Sequence, residues 1–387
     1  MAIKQRVRAA FVLLFALLVG PGSCGLQPAG AGPSGHARER LTVATYNLYL
    51  GADLIPIFSA SSEEELVRLA GEAYAQMVRT DFPSRARAIA KLLARDPPDI
   101  VGLQEVALWE TGPIGDELTP SYDFLAILLS ALEAQGLTYR AEAVNENFSG
   151  EMAISATMRA KFTDRDVILA RRAGLADLDV SGPQSHNFVA RLVLPTRVPG
   201  VVFIVSRGWS AVDVEVNSTT IRVANTHLEA FEATIRTLQA VELRGALAGS
   251  RYPVVVLGDF NSEPTDTAGA YGIFTRTGYA DAWAVVHGPQ GGFTAGQTSE
   301  LDNLPSQLDH RIVYALYEPE GVQAVAATVI GEELDDRTPA GRWPSDHAGL
   351  VVRLASSHRI AAVGSERQRM EAPPPCGIVT SKRHHPA

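Results

Sequence analysis

Apolar, strand-like runs recur from residue 43 to residue 354, and five of them carry a polar side chain at one end. They are VATYNLYL around Asn47, DIVGLQEV around Glu105, VANTHLEA around His227, VVVLGDFNSEP around Asp259 and Asn261, and WPSDHAGLVVRL around Asp346 and His347. An apolar strand that ends in a carboxylate, amide or imidazole holds that group on rigid backbone while its tip meets solvent. A chain that repeats this arrangement is built to bring strand ends together.

The segments between these runs fix the layers. Ser61 or Ser62 ahead of Glu63, Glu64 and Glu65 places a cap and acidic residues at a helix start, where the dipole favours them. Pro83 breaks the helical stretch 61–93 into two, and the second helix ends before Pro97 and Pro98. From Tyr122 to Gln135 the spacing of Phe124, Leu125, Leu128, Leu129 and Leu132 marks another helix face, closed by Gly136. Strands are expected at 99–103, 139–144, 167–170, 201–205, 211–216, 220–225, 254–257, 312–317, 322–330 and 350–354, with helices at 232–247 and 267–277. So many strands between so few helices describe a layered α/β domain too large for one small sheet. Two mixed β-sheets packed face to face, flanked by helices, account for the count.

With 46% hydrophobic and 20% charged residues and no internal repeat, one globular domain over 41–355 is expected. Before it, Lys4, Arg6 and Arg8 precede an apolar run from Ala9 to Val19 and then small residues to Cys24. This is the pattern of a secretion signal (1–24), too short to span a bilayer, so the protein is expected to be secreted or extracytoplasmic. Residues 25–40 read as a flexible linker and 356–387 as a disordered tail. Cys24 stands where a bacterial lipoprotein would be acylated and tethered to a membrane, although Pro21 occupies a position where such signals usually carry Leu. With Cys376 the only other cysteine, no cysteine metal or redox site is expected. The net charge of −9 speaks against a dedicated duplex-binding protein, with Arg165, Arg171 and Arg172 the candidates for a local basic rim.

The polar strand ends match the needs of phosphoester hydrolysis: charge neutralisation on the non-bridging oxygens, an activated in-line water, and help for the departing oxygen. Glu105 offers a hard oxygen ligand for Mg²⁺ or Mn²⁺, and the Asn47 amide either holds the metal's waters or orients Glu105. Gly258 allows a tight turn, after which Asp259 and Asn261, two apart in an extended segment, face one way to align water and grip phosphate. His227 is placed to bond a phosphate oxygen or assist the leaving group. A turn at Pro344 and Ser345 would let both Asp346 and His347 reach the same pocket. Singly, each has a plainer reading as a turn former, cap or strand-end residue.

Taken together, TYN, LQE, NTHL, GDFN and SDH resemble the endonuclease/exonuclease/phosphatase superfamily over about Leu41 to Leu354. The resemblance implies a four-layered α/β sandwich and a Mg²⁺- or Mn²⁺-dependent attack of water on phosphorus. It implies that Asn47, Glu105 and Asp346 serve the metal, that Asp259 activates water, that Asn261 and His347 hold the phosphate, and that His227 acts near the leaving oxygen. The superfamily also places an Asp, in an Arg-Ile-Asp-like strand start, beside the SDH histidine. In QLDHRIVYAL two registers compete for that place, Asp309 and Val313, and Asp309 is the preferred catalytic candidate.

The expected partner is a phosphoester substrate: a lipid head group, a small phosphoester or a nucleic acid, bound by a monomer. An extracellular DNA or RNA nuclease is the alternative, and a catalytically weakened binding protein the other. The loops 109–120 and 145–164 are expected to set specificity. Gly208 and Trp209 hint at a membrane-contacting hairpin, though Trp209 reads better as a packing residue.

Overall fold

The computed structural model describes residues 40–172, 178–216 and 219–356. The expected signal, Cys24, the linker up to residue 39 and the tail beyond Ser356 lie outside them. Strand β1 (Arg40–Asn47) leads through the short helix α1 (Ile55–Phe58) to α2 (Glu63–Arg79) and α3 (Phe82–Leu93). The side chain of Ser62 accepts from the Glu65 N–H to start α2. Pro83 falls in the first turn of α3, where a missing N–H costs no hydrogen bond. Next come β2 (Ile100–Gln104), β3 (Leu108–Pro113), β4 (Thr119–Asp123), α4 (Phe124–Glu133), β5 (Thr138–Ala153) and β6 (Met158–Arg172). The second half runs β7 (Asp179–Asn187), β8 (Leu192–Pro195), β9 (Val202–Val205), β10 (Gly208–Val216), β11 (Thr219–His227), α5 (Ala233–Leu247) and β12 (Val254–Asp259). It closes with α6 (Ala270–Thr275), β13 (Ala280–Asp281), α7 (Ala282–His287), β14 (Val313–Tyr317), β15 (Val322–Ile330) and β16 (Gly349–Ser356).

Eight strands form one sheet, in the order β15, β16, β1, β2, β6, β3, β4, with β5 also paired to β6. Six form the other, β13, β14, β12, β11, β10, β7, and β8 with β9 make a separate ribbon. Alternate side chains of β12 show why four layers result. Val255 and Leu257 join Val43, Ile168, Val223 and Val352 in the core between the sheets. Val254 and Val256 point the other way, into a core with Leu243 of α5 and Phe274 of α6. On the far side of the first sheet, Met77, Phe82, Ile89 and Leu128 of α2, α3 and α4 cover Tyr46 and Leu103. The two face-to-face sheets expected from the strand count, and the four-layered sandwich that the resemblance implies, are the fold observed.

Two parallel pairs position the polar strand ends. In β1 and β2, Asn47 lies beside Gln104, so Glu105 follows directly at the strand end. In β11 and β12, His227 lies beside Asp259. The sheets are pinned to each other here: Gln104 Nε2 donates to Asn225 Oδ1 at 2.7 Å, and Asn225 Nδ2 donates to the Leu103 carbonyl at 3.0 Å. The carboxyl ends of both parallel pairs therefore open on one crevice, the usual place for a ligand in α/β folds.

Several expectations need correction. Segments 109–120 and 145–164 belong mainly to the hairpins β3/β4 and β5/β6 rather than to loops. Their strand character is hidden because polar residues such as Asn145 and Asn147 occupy buried positions, leaving no apolar run to read. Nor do the three arginines make a basic rim: Arg165 pairs with Asp123, Arg171 with Asp99 and Arg172 with Glu142. Trp209 is buried in β10, its ring 5.0 Å from that of His186.

Candidate active site

Glu105 leaves β2 in a left-handed conformation (φ 54°), as does Asn261 beyond β12 (φ 48°). Non-glycine residues rarely adopt this region, and where they do, the surrounding contacts must hold them there. For Glu105 these are the Leu50 N–H, donating to Oε2 at 2.8 Å, and Asn47 Nδ2, donating to Oε1 at 3.1 Å. For Asn261 they are its own N–H to Asp259 Oδ1 at 2.9 Å and its amide nitrogen to the Leu228 carbonyl at 3.0 Å. Asp259 and Asn261 thus share a side through a left-handed turn, not through an extended strand.

Gly258 is needed for closeness rather than for a turn. It lies inside β12 with φ 152°, and a Cβ there would sit 2.1 Å from the Thr226 carbonyl oxygen.

Asn47, fully buried, stands behind the carboxylates. Its Oδ1 accepts from the Tyr49 N–H at 2.9 Å, which turns Nδ2 toward both Glu105 and Asp259 Oδ2, each at 3.1 Å. It therefore orients the two acids, the second of the two roles read for it from the sequence. The loop that follows is clamped by Arg85, a buried residue of α3. Its guanidinium donates to the carbonyls of Thr80, Leu48, Tyr49 and Pro344 at 2.7 to 3.0 Å. The Pro344 contact ties this loop to the SDH turn, where Ser345 Oγ donates to the Asn47 carbonyl at 2.8 Å and accepts from the His347 N–H at 3.1 Å. Asp346 and His347 consequently line one cleft with Glu105, His227, Asp259 and Asn261.

The two histidines are shifted in opposite directions. His347 Nε2 lies 3.6 Å from Asp259 Oδ2 and 3.9 Å from Asp346 Oδ1. Burial opposes its charge, yet Asp346, Asp259 and Glu105 hold its pKa above the ordinary histidine value. Burial, with Arg207 second, pushes His227 well below that value. Arg207 Nη1 is 3.1 Å from His227 Nδ1, and Asn261 Nδ2, likewise a donor, is 3.2 Å from His227 Nε2. That nitrogen is 3.8 Å from Asp259 Oδ2.

Asp309 is not brought to His347. Its side chain is 72% exposed and neighbours His310. Val313 occupies the strand position instead, directly opposite Asp259 in the β12/β14 ladder. Among the described residues, the buried Nδ1 of His347 has no hydrogen-bond partner.

Sequence reasoning missed a second buried group at this site. Arg207 pairs with Asp164 at 3.0 Å, and Asn147 Nδ2 donates to Asp166 at 2.9 Å. Burial raises the pKa of Asp164, and that of Asp166 well above the carboxylate range with Asp164 as the next cause. The signal was present: Asp164 and Asp166 alternate immediately before the apolar run Val167–Leu169, as polar residues do on one face of a strand end.

A divalent cation suits the chemistry of this cleft. Burial, with Asp346 and Asp164 next, pushes the Glu105 carboxyl up to about 7, so several carboxylates are crowded at one buried site. Among the described residues no three His, Cys, Asp or Glu side chains form a ready chelate. Mg²⁺ needs only one or two carboxylates because it retains most of its waters, so Glu105 with Asp346 at the same cleft fits that ion.

The sequence profile of the Endonuclease/Exonuclease/phosphatase family matches residues 44–347, which span every one of these groups. The chain belongs to this family. No curated protein matches its sequence. Among solved structures, an endonuclease/exonuclease/phosphatase family protein from Bacteroides thetaiotaomicron is similar with a TM-score of 0.52 and 18% identity, over 82% of this chain and 98% of that one. The human Nocturnin catalytic domain, solved with bound sulfate, has a TM-score of 0.49 and 17% identity over 83% and 96% of the two chains. A mannosyl-6-phosphatase from B. thetaiotaomicron gives 0.48 and 18% over 81% and 99%. Members of the family are hydrolases of phosphoester bonds and generally use divalent metals.

Proposed function

We propose that this protein is a Mg²⁺- or Mn²⁺-dependent phosphoesterase that directs water in line at phosphorus. The observation that carries the reading is the convergence of Glu105, Asp259, Asn261, His227, Asp346 and His347 on one cleft from the ends of two sheets. Glu105 and Asp346 would hold the cation, which would supply Lewis-acid stabilisation of the phosphoryl oxygens. Asp259, fixed by Asn47 and the Asn261 N–H, is positioned to accept the proton of the attacking water. His347, whose neighbouring carboxylates favour its charged form, is placed to stabilise the phosphorane oxygens, and His227 is the group we assign to the leaving oxygen. Water's oxygen bonds to phosphorus, the ester P–O bond breaks, and the departing oxygen takes a proton.

We extend the proposal to an exported enzyme, on the strength of Lys4, Arg6 and Arg8 ahead of the apolar run 9–19, with Cys24 as the tethering point. The nuclease alternative loses its support in Arg165, Arg171 and Arg172, all of which are engaged with acids of this chain.

The test is hydrolysis of a panel comprising duplex DNA, sphingomyelin, a phosphoinositide and a chromogenic diester, with Mg²⁺ or Mn²⁺ and with chelator. Metal-dependent cleavage of at least one member is expected, and Asp259→Ala should lower it at least about 10²-fold with the circular dichroism unchanged. Undiminished turnover in that variant would remove Asp259 from the mechanism; silence across the panel would remove the activity.

A further inference from the structure

The cleft that holds the polar groups, about 390 Å³ in volume, is mostly not polar. Away from Glu105 and His347 one wall is formed by Ile57, Phe58, Phe148, Met152, Phe162 and Phe203, with Asp53, Gln297 and Ser299 also on the lining. The rings of Phe58 and Phe203 meet edge to face at 5.1 Å, and Phe148 lies 6.5 Å from Phe203. At the mouth, Ile55 is 56% and Phe231 50% exposed. The ribbon of β8 and β9 continues this surface: Phe203 and Val205 turn into the cleft, while Val193, Val202 and Ile204 are exposed on its other side, with Val193 paired across the strands to Ile204.

Resting on the phosphoesterase reading, we propose that the substrate is a phosphoester bearing an aliphatic chain, with the phosphate at the polar end and the chain along this trough. A sugar phosphate would leave the apolar wall in contact with water. A nucleobase would stack on a ring but needs polar partners for its edges, and the wall of Phe, Ile and Met side chains supplies few. An alkyl or acyl chain buries the whole wall and asks for no hydrogen bonds. Continuity between trough and phosphate site selects a molecule in which chain and phosphate are joined.

Calorimetric titration of the full chain with n-alkylphosphonates, ethyl to decyl, tests this without relying on turnover, because the C–P bond is not an ester. Each methylene that enters the trough should tighten binding about fourfold until the trough is filled. Phe231→Ser and Ile55→Ser, at half-exposed positions, should flatten that dependence, and Phe203→Ser should flatten it further. Affinity independent of chain length, or a dependence that the rim variants leave intact, would overturn the proposal. Chain-length-dependent binding by a protein that cleaves no phosphoester would retain the trough and reject the catalytic reading, so the two can fail separately. Sedimentation with phosphatidylcholine vesicles distinguishes the sources. Binding would assign the chain to a membrane lipid, and a steep chain-length dependence without vesicle binding would assign it to a soluble amphiphile.

Discussion

The imidazole of His347 has carboxylates near Nε2 and, among the described residues, no hydrogen-bond partner at Nδ1. Along β14, Ala315 and Tyr317 face the core between the sheets, so Val313 shares their face, toward the sheet that carries His347. Val313→Asp is therefore expected to give Nδ1 an acceptor, fix the tautomer and raise kcat several-fold; a kcat equal to or below that of the parent enzyme would show that the ring is already held. A different residue-scale effect comes from Asp166, buried beside Asp164 and held well above the carboxylate range. An acid whose folded pKa is raised contributes stability below its unfolded pKa and loses it as pH rises through the folded value. In metal-free protein, Asp166→Asn should therefore reduce the fall in melting temperature between acid and alkaline pH. Parallel pH curves for the two proteins would refute this. At this scale the sequence was a good guide to which side chains converge and a poor one to their states. Motif and order identify Asn47, Glu105 and His227, but the lowered pKa of His227 owes its second cause, after burial, to Arg207, which no motif singles out.

Among the elements, β12 carries the sharpest demand, because Gly258 approaches the Thr226 carbonyl where the paired strands deliver His227 and Asp259. Gly258→Ala should cost about 3 kcal/mol or more in urea unfolding and loosen both groups, a cost characteristic of a forbidden backbone conformation combined with overpacking. A loss below 1 kcal/mol would mean that the strands can separate locally. Arg85 makes the same point for a helix: α3 holds the loops after Asn47 and before Ser345 through carbonyls alone. Arg85→Met should destabilise the protein by about 3 kcal/mol, since several buried carbonyls lose their donor. A melting temperature unchanged by that replacement would show that water can take over. The boundaries of α2 and α3 were legible from Ser62 and Pro83 because caps and prolines act locally. The strands β3, β4 and the outer part of β5 were not, since Asn147 and Asp164 are paid for by partners distant in sequence, and an alternating polar run carries no sign of them.

For the whole molecule, the count of apolar runs was enough to require two sheets, because one small sheet cannot bury that many strands. What it could not show is how the sheets are joined. Gln104 and Asn225 are buried polar residues in otherwise apolar strands, and they satisfy each other across the interface. Asn225→Ala should cost about 1–3 kcal/mol, leaving Gln104 Nε2 with its longer bond to Thr45 Oγ1 in place of the shorter one to Asn225, and the double variant Gln104→Leu/Asn225→Leu should recover part of that. Additive losses in the double variant would mean that the two residues act independently.

That pin between the sheets has an evolutionary corollary. Because it fixes the spacing of the two strand pairs that deliver the reactive groups, descendants of this chain can change what they accept only where the pin does not reach. The β3/β4, β5/β6 and β8/β9 hairpins are such places: they can lengthen, shorten or exchange aromatic residues for polar ones while the chemistry beneath them keeps its dimensions. Divergence of substrate within this lineage should therefore be written in those hairpins, and the sheet ends should read alike from one member to the next.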